Sequence, residues 1–278
     1  MNYPLLYGEH LSPQDLGALA QTAGLGTAEL ERLLRDRPGA IDDLLASPKL
    51  YDQIFGAEHQ ALAPGVSTFL AFGALVHRSA RDLQAASHVP EWSGPGKRLP
   101  VFDVEPMRAF LGDGLCRFFL TEFLDSFTTV ASGSYLVKTR TGRQRRRFSE
   151  LDLGRMAEVV EMLPPLERPG GYRRLGDIAL FMSGVFPDHA ATHPLSPTQR
   201  RLVVESAGIK AADALVEDGG LRFFDTAGAG WYRRAADEVE HVNQGRSGFL
   251  RTLSEGFGQA RRILNYMADR YLFKAHFD

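Results

Sequence analysis

The sequence has one cysteine, Cys116, so an intrachain disulfide is excluded. A reducing compartment, the cytoplasm, is the expected setting. Cys116 lies in Leu-Cys-Arg-Phe-Phe and reads as a small buried apolar residue; a nucleophilic role would need a basic neighbour in space. Charge is also in short supply as an imbalance. The formal net charge is -2, so no global field draws the protein to nucleic acid or to a membrane, and any such attraction must be local. The first residues, MNYPLLYGEHLSP, have no basic n-region and no long apolar run, so no signal peptide is expected.

A membrane-spanning helix needs about 20 apolar residues. The most apolar stretch, 64–86, is interrupted by Pro64, Gly65 and Gly73 and closed by Arg78 and Arg81, so no span and no membrane partner are expected. Common catalytic signatures are missing too. There is no Walker glycine loop, no G-x-G-x-x-G, no H-E-x-x-H, no G-x-S-x-G and no paired C-x-x-C. Gly24-Leu25-Gly26 and Gly228-Ala229-Gly230 follow no strand pattern and read as turns. These absences favour a non-enzymatic protein with no cofactor.

What remains is an ordinary globular composition, with 44% hydrophobic and 24% charged residues in a chain of 278. The fold class read from it is mainly α: a multi-helix bundle around a buried central helix, with one β-hairpin. The central helix is placed within Pro64 to Ala86, with Val66 to Leu83 at its heart, because apolar residues on most sides require burial on most sides. One compact helical domain covers 1–278. Within it an acidic small-helix region (1–60), core helices (61–132), a basic hairpin (133–148) and C-terminal helices (149–278) can be told apart.

The acidic region carries nine carboxylates against four bases and reads as solvated surface. Ser12-Pro13 starts a helix there by capping and by a proline that needs no donor. Residues 87–106 are broken by proline and glycine and read as an ordered crossover pinned by Trp92, with Val101, Phe102 and Val104 as a short strand. A short helix starts at Asp103 or Glu105, and a phenylalanine-rich helix spans Leu115 to Val130. Later helices are expected from Ser149, over Tyr172 to Gly184, from Ser196 to about Val216, and over Trp231 to Asn243 after a break at Gly228 and Gly230. Phe186 to Pro194 reads as a loop. A last helix runs from Ser247 to Phe273, its apolar residues in alternating steps of three and four. That is a packing seam, used equally by a bundle and by a homodimer.

Two constellations point to chemistry. Tyr135 to Arg140 and Arg143 to Phe148 flank Thr141-Gly142 and read as a hairpin. Lys138, Arg140, Arg143, Arg145, Arg146 and Arg147 crowd it with no acid among them. A guanidinium offers phosphate two parallel hydrogen bonds, and strand alternation puts Arg143, Arg145 and Arg147 on one face. In shape the hairpin resembles the wing of a winged-helix protein, and the likeness implies contact with a nucleic-acid backbone. The leading expectation is therefore a nucleic-acid-binding protein that contacts phosphates through the basic hairpin. Pairing of these cations with the acidic N-terminal region or a second subunit is the competing account.

The second constellation is Glu238 and His241, three apart on one helix face as in helical di-metal carboxylate sites. Such sites use the pair twice, and the chain has one, with Asp177, Glu122 and His189 as the further ligands on offer. A metal or small-ligand protein built on Glu238 and His241 is thus one alternative. A structural or regulatory homodimer through Ser247 to Phe273 is another.

Overall fold

The structure is a computed structural model that describes residues 3–56, 65–129, 132–139, 142–210, 220–240 and 243–273; for 133–139 and 142–148 it describes the backbone. The chain is mainly α-helical. Helices α1 (Tyr3–His10), α2 (Pro13–Ala23), α3 (Thr27–Asp36), α4 (Ala40–Leu45), α5 (Pro48–Phe55) and α6 (Thr68–Ala85) come first. Strands β1 (Val89–Gly94) and β2 (Lys97–Val101) precede α7 (Glu105–Gly112) and α8 (Gly114–Ser126). The hairpin β3 (Ser132–Thr139) and β4 (Gly142–Ser149) leads to α9 (Leu153–Glu161), α10 (Arg168–Val185), α11 (Pro187–Thr192) and α12 (Pro197–Ala207). Helices Leu221–Val239, Gln244–Glu255 and Phe257–Met267 follow, and a π-helical turn covers Ala268–Leu272.

The chain divides into two compact units, a finer division than the single domain read from the sequence. The first is Met1–Val89, Val101–Thr128 and Arg270–Asp278; the second is Pro90–Pro100 and Thr129–Asp269. No linker composition marks the boundary, because the chain passes between units inside ordered segments.

In the first unit α6 is the buried centre, as expected, with ten buried residues that include Phe69, Leu70, Ala74, Leu75 and Val76. Its start is fixed by Ser67, whose hydroxyl accepts from the Leu70 N–H at 3.1 Å. Asp15 joins this cap to another. One of its oxygens accepts from Ser12 N–H at 2.9 Å in the capping box of α2, and the other accepts from Ser67 N–H at 2.9 Å. The carboxylate is fully buried, so three nearby donors satisfy it in place of water. Gly73 lets α4 approach: a Cβ there would lie 3.3 Å from Leu45 Cδ2. The α8 phenylalanines 118, 119 and 123 are buried, and Phe118 meets Tyr7 edge-on with centroids 5.1 Å apart. Gly17, inside α2, has no atom within 4 Å of its missing Cβ. Gly17→Ala is expected to raise stability by about 0.5–1 kcal/mol through helix propensity, as measured by thermal unfolding.

The second unit is organised around α10 and Leu221–Val239. The expected break at Gly228 and Gly230 is absent: both lie within one continuous helix. These glycines serve close approach. A Cβ on Gly228 would lie 2.1 Å from Phe257 Cε2, and one on Gly230 would lie 2.6 Å from the Ala207 carbonyl oxygen. Just beyond them, Trp231 and Tyr232 are fully buried; the indole N–H donates to Ser206 Oγ at 3.0 Å and the phenol donates to Asp177 Oδ1 at 2.7 Å.

Other boundaries also differ. The expected helix from Tyr172 begins at Arg168, and the expected loop around His189 contains α11. The helix from Ser196 keeps its capping box with Gln199 but ends at Ala207, where Gly208 takes a left-handed conformation at φ 65°. The long last helix is interrupted at Gly256, a poor helix former, and restarts at Phe257 with its ring buried against Gly228. Within residues 87–106 a second pair of strands, β1 and β2, replaces the crossover. Trp92 does pin it, donating to Asp188 Oδ1 at 2.5 Å, while Arg98 and Glu91 pair with Asp269 and Arg262.

Candidate nucleic-acid interface

The β3–β4 hairpin is an antiparallel ladder running from Ser132↔Ser149 to Thr139↔Gly142. It is longer at its base than the sequence pattern suggests, and it stands as a two-stranded sheet. In register, Lys138 faces Arg143, Leu136 faces Arg145, Ser134 faces Arg147 and Tyr135 faces Arg146. Alternate positions of a strand share a face, so Lys138, Arg143, Arg145 and Arg147 belong to one face of the ladder and Arg146 to the other. Arg140 and Thr141 lie outside the described residues, as do the side chains of 133–148.

The chain that leaves the hairpin is firmly held. Glu150, the first acid after β4, is buried and paired with Arg174 of α10. Asp152 caps α9 by accepting from Arg155 N–H at 3.1 Å, and Gln199 Nε2 donates to the same oxygen at 3.4 Å. The base of the ribbon therefore joins the second unit through two carboxylates already engaged with it.

The second sequence constellation is only half described. Glu238 lies 3.9 Å from Arg234 Nε, one helical turn back, and His241 is outside the described residues. Arg234 also pairs with Glu161 at 3.3 Å and lies over the Tyr172 ring at 4.2 Å. Asp177 is committed to Tyr232. Among the described residues no group of three or more His, Cys, Asp or Glu could hold a metal ion. The seam of the last helices is occupied within the chain, since Leu250, Leu253, Phe257, Ala260, Leu264 and Met267 are all buried. No helix among the described residues is long and apolar enough to cross a membrane.

One polar cluster escaped the sequence reading. In the first unit Asp42 gathers residues from three other helices. Its Oδ2 accepts from Tyr3 Oη at 2.5 Å and from Arg117 Nη2 at 3.0 Å, and its Oδ1 lies 3.0 Å from His77 Nε2. The other ring nitrogen of His77 is 2.9 Å from the Gly73 carbonyl oxygen. Burial pushes the Asp42 carboxyl up, but the hydrogen bonds from His77 and Tyr3 and the Arg117 charge outweigh it and hold the group down at about 2. The hint in the sequence was a histidine and an arginine on otherwise apolar helices. Cys116, next to that arginine, is buried; burial foremost, and then the Asp113 carboxylate, push its thiol up to about 12, which suits an inert residue.

Compared with protein-family models, with curated proteins and with solved structures, the chain matches none.

Proposed function

We propose that the protein binds nucleic acid through phosphate contacts made by the β3–β4 hairpin, with no catalytic step of its own, in the reducing cytoplasm that a single cysteine suits. The observation that carries this reading is the register, which puts Lys138, Arg143, Arg145 and Arg147 on one face of an open two-stranded ribbon. Residues two apart along a strand are separated by about 7 Å, so the three arginines form an evenly spaced row suited to successive phosphates. A ribbon of two strands is also of a width that the major groove of B-DNA admits. Lys138 sits directly across from Arg143, and like charges opposite each other destabilise a bare ladder. A polyanion bound along that face removes the repulsion. Arg140, outside the described residues, extends the basic run in sequence.

Binding of this kind is mostly electrostatic, weakly selective for sequence and steeply dependent on salt. The test is a set of titrations of labelled duplex DNA, single-stranded DNA and RNA across a salt series. Each phosphate contact contributes a slope of about -0.9 on B-DNA, so the Arg143→Ala, Arg145→Ala, Arg147→Ala variant is expected to flatten the slope by about 3. No binding to any of these at low salt would sink the reading, and so would an unchanged slope in the triple variant.

A further inference from the structure

Away from the hairpin, α11 and its cap bring together two exposed imidazoles. His193 closes α11, its backbone N–H donating to the His189 carbonyl oxygen at 3.0 Å. The four-residue spacing stacks the two rings, with centroids 4.1 Å apart and planes 24° from parallel. Two contacts orient the His193 ring: Nδ1 lies 3.2 Å from the His189 carbonyl oxygen and 3.1 Å from Thr192 Oγ1. The Thr192 hydroxyl donates to the Asp188 carbonyl oxygen at 2.8 Å, so toward the ring it accepts. A carbonyl oxygen accepts only, so Nδ1 carries the hydrogen and Nε2 of the neutral ring presents its lone pair outward. A ligating histidine is normally fixed in this way, by its other nitrogen donating to a carbonyl. Neither ring nitrogen of His189 has a hydrogen-bond partner among the described residues. The platform beneath is rigid. Pro187 and Ala190 are buried, and Asp188 is tied to Trp92.

We propose that His189 and His193 form a two-imidazole site for a divalent cation of the zinc, nickel and copper class. Imidazole suits these ions, whereas calcium and magnesium take oxygen ligands. Two nitrogens each about 2.1 Å from a tetrahedral zinc lie about 3.4 Å apart, and each lone pair lies in its own ring plane, so the two exposed rings must turn out of their stack, now 24° from parallel, until both planes meet at the ion. No third His, Cys, Asp or Glu completes a cluster among the described residues. The remaining coordination positions belong to water, and the site is open and weaker than a closed four-ligand structural centre. It is separate from Glu238 and His241 and does not depend on the hairpin.

The test is calorimetric titration of the full chain with nickel and with zinc. One equivalent is expected to bind. His189→Ala and His193→Ala should each weaken it at least about tenfold, and His241→Ala should leave it unchanged. Both rings are exposed, so both variants are expected to keep the far-ultraviolet dichroism of the parent. On the unaltered protein, copper(II) is expected to broaden the ring proton resonances of these two histidines before any others. The proposal fails if the full chain binds neither ion, if the double variant keeps the parent affinity, or if a different pair of histidines broadens first.

Discussion

Asp42→Ala is expected to lower the stability of the first unit by about 3 kcal/mol. The carboxylate is only partly buried, with 22% side-chain exposure, but two of its three partners are more enclosed: His77 has 3% and Arg117 14%. Removing the acceptor leaves the Arg117 guanidinium without its carboxylate and His77 Nε2 without this partner, in a place where water enters poorly. Tyr3 loses its Asp42 acceptor and, with it, a hydrogen bond that ties α1 to α4. Asp42→Asn keeps the shape but not the charge, and should fall between the two. Both tryptophans, Trp92 and Trp231, belong to the second unit. Helix dichroism is therefore the readout for this variant, and tryptophan fluorescence is the internal comparison.

The same carboxylate sets a pH dependence. Its folded value of about 2 is below its ordinary 3.8, so its contribution is complete above about pH 4 and is lost as pH falls toward 2. The shift corresponds to about 2 kcal/mol. Denaturant titrations at neutral pH and near pH 2 should show a smaller acid-side loss in Asp42→Ala than in the parent. An equal loss in both would mean that other carboxylates govern acid unfolding.

Gly230→Ala is expected to cost about 2 kcal/mol, although alanine is the better helix former by about 1 kcal/mol. Its methyl group would meet the Ala207 carbonyl oxygen at 2.6 Å and Ile209 Cγ2 at 3.0 Å, and backbone does not move aside cheaply. Gly228→Ala meets the edge of a ring instead, at Phe257, so combining it with Phe257→Leu should recover part of the loss. Trp231 lies next to Gly230 with its indole bound to Ser206, so tryptophan emission should follow the unfolding of these variants directly. Stabilisation by either alanine would mean that the helices are not packed this closely.

These two positions also show where sequence patterns mislead. A pair of glycines signals a chain break when read alone, yet the same residues are needed where two helices touch, and only the neighbour decides which applies. The central helix was legible because Phe69 to Val76 is apolar on too many sides to be exposed. The β3–β4 hairpin was legible because its turn and its alternation agree. Ser12 and Ser196 announced their helices through capping chemistry that is local in the chain. The Asp42 cluster had no such signature. Its members come from α1, α4, α6 and α8, each unexceptional in its own segment, and the spatial meeting is set by packing. The stacking of His189 on His193 was hidden for a simpler reason: Phe186 to Pro194 reads as a loop, and a loop sets no four-residue register.

The division of the chain has a practical consequence for anyone who would cut it. Polypeptide passes from one unit to the other after Val89, Pro100, Thr128 and Asp269. Neither unit is therefore encoded by an uninterrupted stretch of gene. A fragment stopping at Thr128 would carry Glu91, Trp92 and Arg98 without Arg262, Asp188 and Asp269, which hold them in the intact protein. Dissection by truncation would leave orphaned strands, whereas a nick in an exposed turn would leave both halves of every such tie in the tube.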